Sequence, residues 1–221
     1  MKTKIITLLA LVLLLNSCIV KSLHPFYTKN TISFEQRFIG NWEDNSNGKW
    51  EILSFKDVLL KDSKVTKASE LSKEDLAAYN QYKDGYIVRY TDDDKESVFL
   101  AIPFIINNQL FIDFTPLDFD IEELNDLASL HLLPTHSLVK FDIISDDKIS
   151  IKWFDQSKIS ELLESNKIKI KYEKVGIDDT YLLTASSEEL EKFIAKYMAS
   201  KDENKWKTDV KFNLQRVDAT E

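Results

Sequence analysis

From residue 99 to 116 the chain reads FLAIPFIINNQLFIDFTP, two apolar runs on either side of Asn107-Asn108. Asparagine tolerates the left-handed backbone that a two-residue type I′ turn needs, so the segment predicts a β-hairpin. Pairing across that turn sets Ile105 opposite Leu110, Pro103 opposite Ile112 and Ala101 opposite Phe114, which makes one face wholly apolar. The other face carries Ile102, Phe104 and Phe111 beside Asp113 and Gln109, a mixture that implies cover by a helix or loop. Pro103 cannot donate to a ladder and marks an edge or a bulge.

A second hairpin is predicted in SLVKFDIISDDKISIKWF, where Val139, Phe141 and Ile143 alternate with polar residues, as do Ile149, Ile151 and Trp153. A two-residue turn would set Ile151 against Asp142, whereas an odd loop of three or five residues aligns both apolar sets, and the odd loop is expected. Strand patterns also cover residues 37–44, 49–55, 85–91, 167–175 and 209–217. The fold class is therefore mainly β, a β-rich α+β domain with an antiparallel sheet of about nine strands, curved or closed into a barrel. Two to four helices interrupt it. Ser186 with Glu189 forms a capping-box pattern ahead of Leu190, Phe193, Ile194 and Tyr197 at helical spacing. Residues 155–166, 120–133 and 72–83 are the other helical candidates.

The first residues follow a different pattern. Lys2 and Lys4 precede an uncharged run, residues 5–15, and then Asn16, Ser17 and Cys18, the only cysteine of the 221 residues. A run this short is a secretory h-region by length and flank, well under the roughly 20 apolar residues of a spanning helix. With one cysteine the rest of the chain holds no internal disulfide and depends on core burial. The organisation expected is a leader over residues 1–17, a short tether over 18–35 whose aromatics Phe26 and Tyr27 imply that part of it packs on the domain, and one β-rich domain over 36–218. The net charge of −8 becomes about −10 once Lys2 and Lys4 leave with the leader, a repulsive balance for nucleic acid or anionic headgroups.

Leu15-Asn16-Ser17-Cys18 resembles the lipobox of bacterial lipoproteins. The resemblance implies that Cys18 is acylated and becomes the first residue after cleavage. It implies a membrane-anchored protein of the cell envelope, attached through acyl chains. No acid-rich run follows Cys18 of the type associated with surface export, so the expected side is the periplasm. The segments SLHPFYT and THSLVKF are similar to a group of uncharacterised envelope lipoproteins, which implies no activity.

Gly40-x-Trp42, on the first predicted strand, resembles the signature of lipocalin and calycin barrels. It implies a barrel whose Trp42 closes one end under an arginine of the last strand, here Arg216. A core aromatic on an amphipathic strand is the other reading of Trp42. Helices inserted between strands set this chain apart from a simple up-and-down barrel.

Candidate chemistry is sparse. His24, His131 and His136 have no ligand spacing, so no metal site is expected. The acids Asp118, Asp120, Glu122, Glu123 and Asp126 lack the glycine and bidentate glutamate of a calcium loop and suit a helix first turn instead. There is no Gly-x-Ser-x-Gly elbow, phosphate loop or HExxH, so no catalytic residue, enzyme activity or cofactor is expected. Two readings remain. One is a binding module whose concave interior, lined by Trp42, Phe99, Phe114, Phe141, Trp153 and Phe212, takes a small hydrophobic or lipid-like ligand in a void of about 300 Å³ or more. The other is a solid-core protein that docks an envelope protein partner. An enzyme reading would gain only if His136 and an acid such as Asp113 converged in a pocket.

Overall fold

The structure, a computed structural model, describes residues 19–117 and 132–217. Cys18, the leader, His131, the acids from Asp118 to Asp126 and most of the helix expected over 120–133 lie outside the described residues.

The described strands are β1 (Lys21–Ser22), β2 (Gly40–Glu43), β3 (Lys49–Ser54), β4 (Tyr86–Asp92), β5 (Lys95–Ile106), β6 (Gln109–Pro116), β7 (His136–Ser145), β8 (Lys148–Trp153), β9 (Tyr172–Val175), β10 (Thr180–Leu183) and β11 (Lys211–Val217). Among the described residues the α-helices are α1 (Phe55–Asp62), α2 (Lys73–Tyr82), α3 (Gln156–Glu164) and α4 (Ser187–Ala199). A 3₁₀ turn, Gln36–Phe38, precedes β2.

Strands β2 to β8 pair consecutively, β11 fits between β8 and β2, and β6 pairs with β7, so eight antiparallel strands close into a barrel. Closure leaves no free edge around the wall. The insertions do not prevent it, because residues 55–85 and 154–210 leave from strand ends and return at the neighbouring strand.

Local chemistry accounts for the registers. Asn107 and Asn108 both take positive φ, and Ala101, Pro103 and Ile105 pair with Phe114, Ile112 and Leu110 as the turn dictates. Asp93 and Asp94 turn β4 into β5 the same way. In the β7–β8 hairpin Phe141 pairs with Ile151 and Ile143 with Ile149, so both apolar sets align as expected, but the turn is the two residues Asp146-Asp147 and not an odd loop: an irregularity between Ile143 and Ser145 absorbs the extra residue. Pro103 lies where β5 overruns β4, and residues 31–33 take the exposed edge: the Ser33 N–H donates to Pro103 O and the Ile105 N–H to Thr31 O.

Two cores share the wall. Inside the barrel, Phe38, Trp42, Ile52, Tyr86, Phe114, Phe141 and Leu214 pack together. Outside it, Phe104, Phe111 and Leu138 of the wall are covered by α3, α4 and β10 through Ile159, Leu190, Phe193 and Leu183. That outer layer is the cover implied by the apolar outward face of β5 and β6. Each fully buried large side chain contributes about 1.5–3 kcal/mol, so both layers hold the molecule together.

The packing expected for part of the tether extends through residues 19–35: β1 pairs with both β7 and β10, Val20 and Phe26 are fully buried, and the Val20 N–H donates to Phe154 O. The strand expected over 167–175 is only Tyr172–Val175, and β1 pairs with β10 in parallel, a departure from the antiparallel rule elsewhere. Helix α1, which the sequence pattern did not predict, follows directly from β3.

Candidate functional site

One end of the barrel is sealed by the signature residues. Arg216 lies with its guanidinium 4.1 Å from the Trp42 ring centre, and the indole N–H donates to Phe38 O at 3.0 Å. The guanidinium also donates to Ile39 O at 2.9 Å, Arg37 O at 2.7 Å and Asp146 O at 3.1 Å. Arg216 thereby ties the 3₁₀ turn, β2 and the β7–β8 turn together. Gly40 takes φ +137°, and a Cβ there would collide with the Arg216 Nη1. Only glycine combines that backbone with that approach.

The interior is full. Trp42, Phe114 and Phe141 are almost wholly inaccessible, and so are their neighbours Phe38, Ile112, Ile151 and Leu214. No void beside these side chains admits a water, because it would leave them accessible surface. The aromatics instead meet each other: Phe38–Phe141 at 4.9 Å, Phe114–Trp153 at 5.3 Å, Phe99–Phe114 at 5.8 Å and Trp153–Phe212 at 5.8 Å between ring centres. The six residues expected to line a cavity are therefore the core itself, with Phe99 and Phe212 half-buried toward the end opposite Arg216. At that end Asp44 accepts the Trp50 indole N–H at 2.9 Å and the Gly48 N–H at 3.0 Å, so the β2–β3 turn is tied to the core.

On the outside of the wall His136 and Asp113 do converge. The His136 Nδ1 lies 2.7 Å from Asp113 Oδ1, with the Thr115 hydroxyl 2.9 Å from the same nitrogen. The other carboxylate oxygen accepts the Phe26 N–H at 2.8 Å. Asp113 is only 1% accessible, and burial followed by its charge pushes the Tyr27 hydroxyl above the ordinary tyrosine range. The pair clasps the N-terminal strap to the barrel. It does not open into the groove that follows.

That groove, about 1480 Å³, runs between α3, α4 and the segment 166–172. Its floor is apolar, with Leu162, Ile168, Phe193 and Tyr197. Six lysines line it, Lys158, Lys167, Lys169, Lys171, Lys192 and Lys196, against the three carboxylates Glu161, Glu189 and Asp202. Lys158 is occupied: it bonds to Asp202 at 2.7 Å and Glu161 at 2.9 Å, which hold its ammonium charged above the usual lysine range. The same bonds hold both carboxyls below theirs. Lys167 and Lys171 have carboxylates at 3.5 and 3.2 Å. Lys169, Lys192 and Lys196 are exposed and make no ion pair within 4 Å among the described residues. Sequence reading missed this groove because its lysines come from two helices and an irregular segment; the alternation KIKIK over 167–171 was the one local sign.

No protein-family model, curated protein or solved structure matches the chain. Among the described residues no helix is long and apolar enough to cross a membrane.

Proposed function

We propose that this chain is an envelope lipoprotein, anchored by acyl chains on Cys18 and facing the periplasm, whose solid barrel works through its outer surface as an interaction module. The lipobox and its leader support the anchor. The observation that carries the rest is the filled interior: with Trp42, Phe114 and Phe141 buried against one another, the barrel is a rigid body and not a container.

The N-terminal weave strengthens the reading. Ile19, the first described residue, forms a β-bridge with Asp155, so the chain is held to the domain immediately after the expected anchor position. An anchor there would hold one end of the molecule at the bilayer surface. Several acyl chains bind effectively permanently where one binds reversibly. An envelope partner would then meet this body in a restricted orientation.

Metabolic labelling tests the reading. When the full chain is expressed in a bacterium with labelled palmitate, the label enters the protein and the protein sediments with membranes. Cys18→Ser loses both. Label-free protein released by buffer alone contradicts the proposal.

A further inference from the structure

We infer that the lysine-lined groove between α3 and α4 binds an anionic phospholipid of the membrane beside it, the phosphate among Lys169, Lys192 and Lys196 and the upper acyl chain on the apolar floor. The inference rests on the anchored reading for its choice of lipid, and on the groove alone for its chemistry.

Charge supplies the first reason. The chain is −8 overall, yet this groove gathers six lysines against three carboxylates, a local reversal of sign. Three of those lysines lie within 4 Å of carboxylates; Lys192 is drawn by Glu188 and Glu189 without pairing with either, and Lys169 and Lys196 have no carboxylate within 4 Å among the described residues. Lys192 and Lys196 stand one turn apart on α4 and present neighbouring ammonium groups. A lysine is a compact point charge with three donors, suited to phosphate oxygens that need no bidentate fork.

The floor supplies the second. Leu162, Ile168, Phe193 and Tyr197 continue the outer core to the surface, so a ligand with an anionic head alone would leave apolar surface wet. A head with an acyl stem covers both. An acidic peptide would satisfy the lysines but would set polar backbone on that floor.

Position supplies the third. The Ile19 bridge ends on Asp155, the N-cap of α3, and Lys158 is three residues along that helix, about 4.5 Å of rise. Lys158 is bonded in turn to Asp202 beyond the C-terminal end of α4. One end of the groove therefore lies next to the residue that the anchor would hold at the membrane. The headgroup layer on each side of a bilayer is about 5–7 Å thick, which brings that end of the groove within reach of headgroups.

The test uses the full chain purified in an uncharged detergent, titrated with soluble dihexanoyl phosphatidylglycerol, dihexanoyl phosphatidylcholine, inorganic phosphate and octaglutamate, and read by native mass spectrometry and calorimetry. The phosphatidylglycerol binds at least tenfold more tightly than the other three. In the triple variant Lys169→Gln, Lys192→Gln, Lys196→Gln that affinity falls at least tenfold, with an unchanged circular dichroism spectrum and unfolding midpoint. Equal binding of both lipids, or an unaffected triple variant, overturns the proposal. Octaglutamate binding as tightly as the anionic lipid overturns it in favour of a peptide site, and phosphate binding as tightly reduces it to a simple anion site. Cys18→Ser binds the soluble lipid as the parent does, so a failed anchor and a failed groove give different results.

Discussion

Arg216 joins more of the molecule than any other single side chain described above. Its guanidinium faces Trp42 and donates to three carbonyls on two separate elements. Arg216→Ala removes a half-buried cation–π contact and strips partners from Ile39 O, Arg37 O and Asp146 O, for an expected loss of about 2–3 kcal/mol in urea unfolding. Gly40→Ala forces a strained φ and a collision, and is expected to cost about 1–3 kcal/mol. Asp113→Ala unpairs the buried Phe26 N–H and His136 together, a change of about 3 kcal/mol. Its signature is local: proteolysis within residues 19–35 speeds up more than cleavage elsewhere. These residues differ in how legible they were. Gly40, Trp42 and Arg216 carry a spaced signature, and Asp113 stood out as a charge on an apolar face. Their partners are carbonyls and a backbone N–H contributed by distant segments, which no residue type announces.

Where the element itself supplies the information, reading from the chain worked. The Asn-Asn turn fixes a backbone sign, and the register of β5 on β6 follows from it. Ser186 and Glu189 cap α4 as a reciprocal pair, and Ser186→Ala is expected to lower stability by about 1 kcal/mol. The Ser186 backbone N–H first, then Lys171, hold the Glu189 carboxyl below its ordinary range. A depressed carboxyl stabilises above its unfolded value of about 4.5 and loses that contribution as pH falls through the lower folded value. Glu189→Gln therefore flattens the acid side of a thermal-unfolding profile. Burial acts in the opposite direction on the tyrosines. Tyr90, desolvated among Trp50 and Phe212 and next to Asp44, is pushed up to about 12, and Tyr27, Tyr86 and Tyr197 are raised further. A raised folded value gives stability that is complete below about pH 10 and is lost as pH climbs through 12. In an ultraviolet titration, four of the eight tyrosines stay protonated well above pH 10 until the protein unfolds. Helix α1 escaped detection because it buries no side chain and has no side-chain cap to announce it, and the strand pairing within residues 19–35 depends on β7 and β10, which no pattern of its own encodes.

At the level of the whole molecule, strand content was readable and Gly40, Trp42 and Arg216 pointed to a barrel, whereas the filled interior was not readable. Closure depends on β11 reaching across from residue 211 to pair with β2, and on β6 meeting β7. Such long-range pairings decide whether inward aromatics surround a void or fill one. Here they fill it, and that shifts interest from the lumen to the outer wall, where the strap, the helices and the lysine groove lie. The proposed membrane-facing arrangement would join all of these, because the first described residue, Ile19, is already bridged to Asp155. Its most direct check is mass spectrometry of the detergent-extracted, trypsin-digested protein. The arrangement predicts an N-terminal peptide of residues 18–21 carrying acyl groups on Cys18, and no peptide from residues 1–17. An unmodified Cys18 thiol within a peptide that retains the leader would contradict it.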